Sequence, residues 1–142
     1  MKIAYTAHAK ASGGGRNGLT GTDNGRLTFT TATPKEMGGS DKGTNPEELF
    51  ACGYAACYLG AMRFVANRDK LAMPAEATVA SSVGIGPRDD GAGFGIEVTL
   101  DVSLPGLTKA DAEELTRRGH VVCPYSHSLK GNVTVTTNIV GT

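Results

Sequence analysis

Three cysteines in 142 residues are the groups best suited to covalent chemistry in this sequence. Cys52 and Cys57 lie in FACGYAACYLG and Cys123 in HVVCPYS. The thiolate is the reactive form of cysteine, so a working thiol needs surroundings that favour ionisation. On a helix, five positions separate Cα atoms by roughly 8–9 Å, beyond the ~7 Å reach of a disulfide. Cys52 and Cys57 therefore do not pair, and any disulfide joins Cys123 to one of them. Cys123 ends a predicted helix, where partial negative charge disfavours a thiolate, so if it reacts it resolves rather than attacks. Burial tendency alone makes Cys52 and Cys57 small packing residues. His120, Cys123 and His127 form H-x2-C-x3-H, half of a zinc pattern whose other half is missing, and no metal site is expected.

A thiol in the middle of a helix gains little from the helix dipole, so a reactive Cys57 needs a nearby cation. Arg63, Arg68, Arg117 and Arg118 fall in helical surface patterns and read as solvated charges. Arg16 stands apart in GGGRNG. On a Gly-rich turn it can point into water or fold inward.

The elements that must position these groups follow from pattern. Alternation predicts a strand around Lys2–Ala11 and another around Arg26–Ala32, joined by the Gly-rich connection SGGGRNGLTGTDNG. PKEMGGSDKGTN is turn chemistry throughout and reads as an irregular loop. Asn45 as N-cap, Pro46 at the first helical position and Glu48 at the capping-box position start a helix that runs to about Asn67. Its fourteen residues between Glu48 and Arg63 carry no charge, fewer than the ~20 needed to cross a bilayer. A helix apolar on every face must be buried on every side. One small sheet covers only one side, which calls for a second copy of the chain. EATVASSVGI and FGIEVTLDVSL form a hairpin over GPRDDGAG, and Thr108 caps the helix TKADAEELTRRGHVV, which Pro124 stops. A strand over Asn132–Val140 completes an α+β layout in a single domain, residues 1–142.

Fourteen basic residues balance fourteen acidic ones, which gives no electrostatic case for nucleic acid or for an acidic membrane surface. The N-terminus lacks the apolar core of a secretory signal, so the expected location is the cytoplasm.

YTAHAKASGGGRNG, TPKEMGG, GTNPEELFACGYAACYLGAMRFVAN, VGIGPRDDGAGFGIEVTLDVSLPGLTKADAEEL and HVVCPYSHSLKGNVTV cover most of the chain. Together they resemble the organic hydroperoxide resistance branch of the OsmC-like family. The resemblance implies an α+β fold with antiparallel sheets around a long buried helix, in an intertwined homodimer with active sites at the subunit interface. It implies a thiol peroxidase that reduces alkyl or lipid hydroperoxides in oxidative stress defence. Cys57 would attack, Cys123 would resolve through a Cys57–Cys123 disulfide, and Arg16 and Glu47 would orient and activate Cys57. No cofactor is expected to be bound, and an external dithiol, dihydrolipoamide or the lipoyl group of a lipoylated protein, would reduce the disulfide. Glu48, where the family often has Gln, remains a cap. The sequence departs from the family at Cys52, where Ala is usual, and at CPYSHS in place of CPYSNA.

Ten residues separate Glu47 from Cys57, about 15 Å along a continuous helix. The glutamate serving Cys57 is therefore expected from the partner chain, across two antiparallel copies of the helix. Met37, Phe50, Tyr54, Phe94 and Tyr125 are candidates for an apolar funnel that favours organic hydroperoxides over hydrogen peroxide. The rivals are the sister OsmC branch, with broader peroxide specificity, and a non-catalytic redox sensor. A general disulfide oxidoreductase lacks its C-x-x-C.

Overall fold

The computed structural model describes residues 1–142 and divides into two compact units, 1–49 and 50–142. In the first unit an antiparallel meander runs β1 (Ala9–Gly13), β2 (Gly18–Thr22) and β3 (Thr28–Thr31). β2 lies within the stretch expected to be a connection. Its threonines and Leu19 supply strand preference that the surrounding glycines conceal. β1 begins at Ala9 rather than Lys2, because β2 pairs with it only from Ala9↔Thr22 onward. Residues 1–8 are exposed; the His8 carbonyl accepts from the Asp23 N–H at 3.1 Å, residues 1–7 hold no strand partner, and Ile3 and Tyr5 stand in solvent. After β3 comes an irregular stretch that contains one 3₁₀ turn, Lys35–Met37.

Helix α1 (Pro46–Asp69) starts as the sequence dictates. Asn45 Oδ1 accepts from the Glu48 N–H at 2.9 Å, and the Thr44 hydroxyl donates to Glu48 at 2.7 Å. The helix is unbroken over 24 residues, and by length and hydropathy it could span a membrane. Its packing is that of a core helix, since Tyr54, Tyr58, Met62 and Val65 are fully buried by protein. That buried stripe follows helical spacing and is the only one. Cys52, Ala56, Gly60 and Phe64, four apart along the opposite side, are exposed. The expectation of burial on every side is thus not met within one chain, where Cys52 is exposed.

The second unit adds β4 (Thr78–Pro87), β5 (Phe94–Ser103), α2 (Lys109–Val122), α3 (Pro124–Leu129) and β6 (Val135–Gly141), with sheet order β4-β5-β6. β4 and β5 form the expected antiparallel hairpin. β6 pairs with β5 in parallel, so this sheet is mixed rather than antiparallel. A parallel neighbour needs a crossover, which α2 and α3 supply. Val98, Leu100 and Val102 alternate into the core against the buried stripe of α1 and against Ala112 and Leu115 of α2. Thr108 caps α2 by accepting from the Asp111 N–H. Pro124 does end α2, but it also occupies the first turn of α3, where its missing N–H costs nothing. Arg118 pairs with Asp69 at 2.8 Å and ties the end of α1 to α2.

Candidate active site

In the second unit α1 and α2 approach closely at Gly119, where an added Cβ would lie 2.7 Å from Met62 Cγ. The Tyr58 hydroxyl donates to the Thr116 carbonyl at 2.8 Å across the same contact. This approach brings Cys57, midway along α1, to Cys123, which is at once the C-cap of α2 and the N-cap of α3. The two sulfurs are 3.6 Å apart, and both are free thiols. Cys52 takes no part. Closing a disulfide requires a further approach of about 1.5 Å, within the compass of side-chain rotation.

The two thiols differ in environment. Cys57 is half-buried and Cys123 is fully buried. Burial pushes the Cys57 thiol above its ordinary pKa, the Tyr125 backbone N–H pulls it back down, and Cys123 pushes it up again; none of these influences is a positive charge. A mid-helix position lends Cys57 little from the dipole of α1, whereas the start of α3 supplies the Tyr125 N–H to its sulfur. In the same way Cys123 does not sit only at a negative helix end, because α3 begins where α2 stops.

Around this pair the structure gathers three of the five candidate funnel residues. Phe50 and Tyr125 stack with ring centroids 5.6 Å apart, and Tyr54 meets them edge-on or tilted at 6.0 and 5.7 Å. Gly53 permits this closeness, since a Cβ there would lie 3.2 Å from the Tyr125 hydroxyl. Phe94 is 66% exposed at the first position of β5, paired with Pro87 and outside this cluster. Met37 closes the 3₁₀ turn of the first unit and is exposed.

Arg16 and Glu47 meet in the first unit. Nη1 and Nη2 of Arg16 donate to the two carboxylate oxygens of Glu47 at 2.8 and 2.6 Å, a bidentate pair. The Arg16 fork, mainly by hydrogen bonding, holds the Glu47 carboxyl below its usual pKa. The turn that carries Arg16 is clamped rather than loose. Thr31 Oγ1 donates to the Gly15 carbonyl at 2.7 Å and accepts from the Gly18 N–H at 2.9 Å, and Asn17 bonds Thr33 through both its amide atoms. Gly18 is required here, since a Cβ would stand 2.1 Å from the Ser12 carbonyl oxygen.

A polar chain that the sequence did not single out adjoins the thiols. The Tyr54 hydroxyl is 2.9 Å from Ser126 Oγ, Ser126 Oγ is 2.9 Å from His120 Nδ1, and His120 Nε2 is 2.9 Å from Thr137 Oγ1. Both ring nitrogens of His120 are thereby occupied. The one signal in the sequence is the crowding of His120, Cys123 and Ser126 within seven residues, a stretch that also carries the half zinc pattern of His120, Cys123 and His127.

Comparison with known proteins bears on what this arrangement belongs to. The family described as OsmC-like protein matches residues 39–138. The chain belongs to the OsmC-like family. An organic hydroperoxide resistance protein of Xanthomonas axonopodis pv. citri is 49% identical over 136 residues, 95% of this chain and 94% of that protein. The organic hydroperoxide resistance protein OhrB of Bacillus subtilis is 39% identical over 92% of this chain and 94% of its own length. Among solved structures, an organic hydroperoxide resistance protein from Legionella pneumophila superposes with a TM-score of 0.91 at 42% identity, covering 97% of this chain and 98% of that one. Family membership and these structural neighbours agree with the α+β architecture of two small sheets and a central helix.

Proposed function

We propose that this protein is a thiol peroxidase that reduces alkyl or lipid hydroperoxides to alcohols, as a member of a family whose relatives carry names of organic hydroperoxide resistance. The observation that carries the proposal is the meeting of two reduced thiols 3.6 Å apart, 66 positions apart in sequence, one of them half-exposed beside an aromatic wall. In the first step the Cys57 thiolate attacks a peroxide oxygen, the O–O bond breaks, and the alkoxide leaves and takes a proton, giving Cys57 sulfenic acid. In the second step the Cys123 sulfur attacks Cys57 Sγ, and hydroxide leaves and is protonated to water. A disulfide remains, and Cys57 is spared further oxidation.

The first step needs positive charge, because burial disfavours the Cys57 thiolate. Arg16 supplies it, stabilising both the thiolate and the departing alkoxide. Glu47 fixes the guanidinium fork. Because α1 is unbroken, Glu47 and Cys57 of one chain stand about 15 Å apart along its axis, and the serving pair comes from a partner chain in a homodimer. Two features favour that partner. The exposed stripe Cys52, Ala56 and Gly60, ending at Phe64, offers a face of mostly small residues on which another helix can lie close, and residues 1–7, apolar at Met1, Ile3, Tyr5 and Ala7, have no strand to pair with.

The apolar cluster of Phe50, Tyr54 and Tyr125 would hold the organic tail. With Cys123 fully buried, a reductant reaches the disulfide through Cys57, which suits a slender dithiol such as dihydrolipoamide or a lipoyl arm. The test is steady-state consumption of tert-butyl hydroperoxide with dihydrolipoamide, for wild type beside Cys57→Ser. Wild type turns over and Cys57→Ser is inactive; substantial catalysis by Cys57→Ser would sink the assignment.

A further inference from the structure

Cys57 stands between two tyrosines on α1, Tyr54 three residues before it and Tyr58 directly after it, and neither side chain has exposed surface. A buried phenol hydroxyl left unpaired is costly, so each hydroxyl constrains what lies opposite it. Both find their partners on the segment that carries Cys123. The Tyr54 hydroxyl is 2.9 Å from Ser126 Oγ, three residues after Cys123, and the Tyr58 hydroxyl donates at 2.8 Å to the Thr116 carbonyl, seven residues before it. Positions 54, 57 and 58 of α1 thus meet 126, 123 and 116 in reverse order. The sulfur contact is the middle rung of three, with a buried hydroxyl bond on either side. His120 backs both outer rungs. Its Nδ1 is 2.9 Å from Ser126 Oγ, its Nε2 is 2.9 Å from Thr137 Oγ1 of β6, and its ring packs on Tyr58 with centroids 4.5 Å apart.

The sulfurs do little to hold themselves in place. Each has only the other as a side-chain hydrogen-bond partner, and a thiol is a weak donor and a weak acceptor. Their spacing of 3.6 Å is set by what pins the two segments on either side. We propose that Tyr54, Tyr58 and Ser126 are positioning residues that hold Cys123 against Cys57, and so decide whether a Cys57 sulfenic acid closes to the disulfide or is oxidised further. This role rests on the peroxidase reading above.

The two fates of the sulfenic acid respond to different things. In closure the Cys123 sulfur forms the bond to Cys57 Sγ, the S–O bond breaks with its electron pair on oxygen, and the hydroxide leaves with the Cys123 proton as water. In the competing step a second hydroperoxide transfers an oxygen to the same sulfur, leaving a sulfinic acid and an alcohol. Over-oxidation grows with peroxide concentration, whereas closure depends only on where Cys123 stands. With the segments pinned, side-chain rotation supplies the last approach of about 1.5 Å. Opening the seam leaves rotation short of its target, and a misplacement of about 1 Å costs such a step about 10²-fold.

The test uses Tyr58→Phe and Ser126→Ala, which each remove one outer rung and leave Phe50, Tyr54 and Tyr125 in place. The first readout is the Cys57–Cys123 disulfide at equilibrium in glutathione redox buffers, which gives the effective concentration of one thiol toward the other and uses no peroxide. It should fall roughly 10-fold in each variant, where the second rung still holds, and further in the double variant. The second readout is the ratio of Cys57 sulfinic acid to disulfide, counted by mass spectrometry across a range of tert-butyl hydroperoxide concentrations. That ratio should rise by a similar factor, and because both products come from the same sulfenic acid it does not depend on the rate of attack. A purely structural role would lower Tm and move neither readout in the folded protein. Asp69→Asn is the control, since it breaks the Arg118 tie across the same helix pair about 18 Å along α1 from Cys57. Wild-type values in both Tyr58→Phe and Ser126→Ala overturn the proposal, and so does an equal change in Asp69→Asn. If wild type forms the disulfide in glutathione but not with peroxide, the peroxidase reading fails and the glutathione readout alone decides the positioning role. A wild type that forms no Cys57–Cys123 disulfide in either experiment sinks both.

Discussion

Arg16 with Glu47 and Cys57 with Cys123 are both pairs drawn together from distant sequence, 31 and 66 positions apart, yet the two are built by opposite means. The charged pair is partly exposed and rests on a turn clamped by Thr31, Asn17 and Thr33. Its geometry comes from side-chain hydrogen bonds that clamp the turn, and keeping it near water avoids the desolvation cost of a buried ion pair. The thiol pair is set by packing, by the approach of α1 to α2 at Gly119 and by the cap that Cys123 makes between two helices. There, dryness raises the thiol pKa and leaves the nucleophile needing a charge that its surroundings do not contain. Each region holds what the other lacks. The first has a cation and no nucleophile, and the second has a nucleophile and no cation.

The sharpest break in that comparison removes one thiol of the dry pair. Cys123→Ser should consume about two equivalents of hydroperoxide, one to form the Cys57 sulfenic acid and one to take it on to sulfinic acid, and then stall, read by peroxide consumption and by the mass of the Cys57 peptide. Next in size, Arg16→Ala leaves the thiols in place and takes away the charge. Its kcat/KM for organic hydroperoxide should fall about 10²-fold, and alkylation of Cys57 by iodoacetamide should shift to higher pH.

Gly18→Ala tests the scaffold of the charged pair rather than its chemistry. Its Cβ cannot coexist with the Ser12 carbonyl, so the turn must shift and turnover should drop roughly 10-fold, while diamide still oxidises Cys57 and Cys123 to a disulfide. Loss of that disulfide in Gly18→Ala would show that the two regions are not separable.

The smallest effect is on stability. Glu47 has a lowered pKa in the folded state, so its contribution is present above the carboxyl's ordinary 4.5 and fades as pH falls toward the depressed value. Because Arg16 is about one-third exposed, screening limits the pair to about 0.5–1 kcal/mol. Glu47→Gln should lower Tm slightly at neutral pH, and the gap to wild type should narrow as pH falls below the carboxyl's ordinary 4.5. A gap that does not change with pH would mean the pair is not ionic in the folded protein.

Local grammar made much of the fold legible. Asn45-Pro46 starts α1, Thr108 starts α2, and GPRDDGAG turns the β4–β5 hairpin as expected. What misled was punctuation that serves two purposes. The glycines in and around β2 read as loop, yet Gly18 and Gly21 sit inside it in strand pairing. Pro124 read as an ending and is also a beginning. The alternation of residues 2–8 read as a strand, and alternation cannot say whether a neighbour will be present to bond it. At the site, cysteines and charges could be named from type, spacing and resemblance. The chain Tyr54–Ser126–His120–Thr137 could not, since three segments far apart in sequence contribute to it and none of its members is unusual alone.

Cys123 ends one helix, begins the next and faces a third. A covalent bond from that point to α1 would be a rivet through the junction of three helices, closing a loop across 66 positions. Such a loop restricts the unfolded chain by about 4 kcal/mol. The oxidised protein should therefore melt higher than the reduced one. The molecule would be mechanically tightest in the interval when it waits for electrons, and would loosen each time a dithiol restores it.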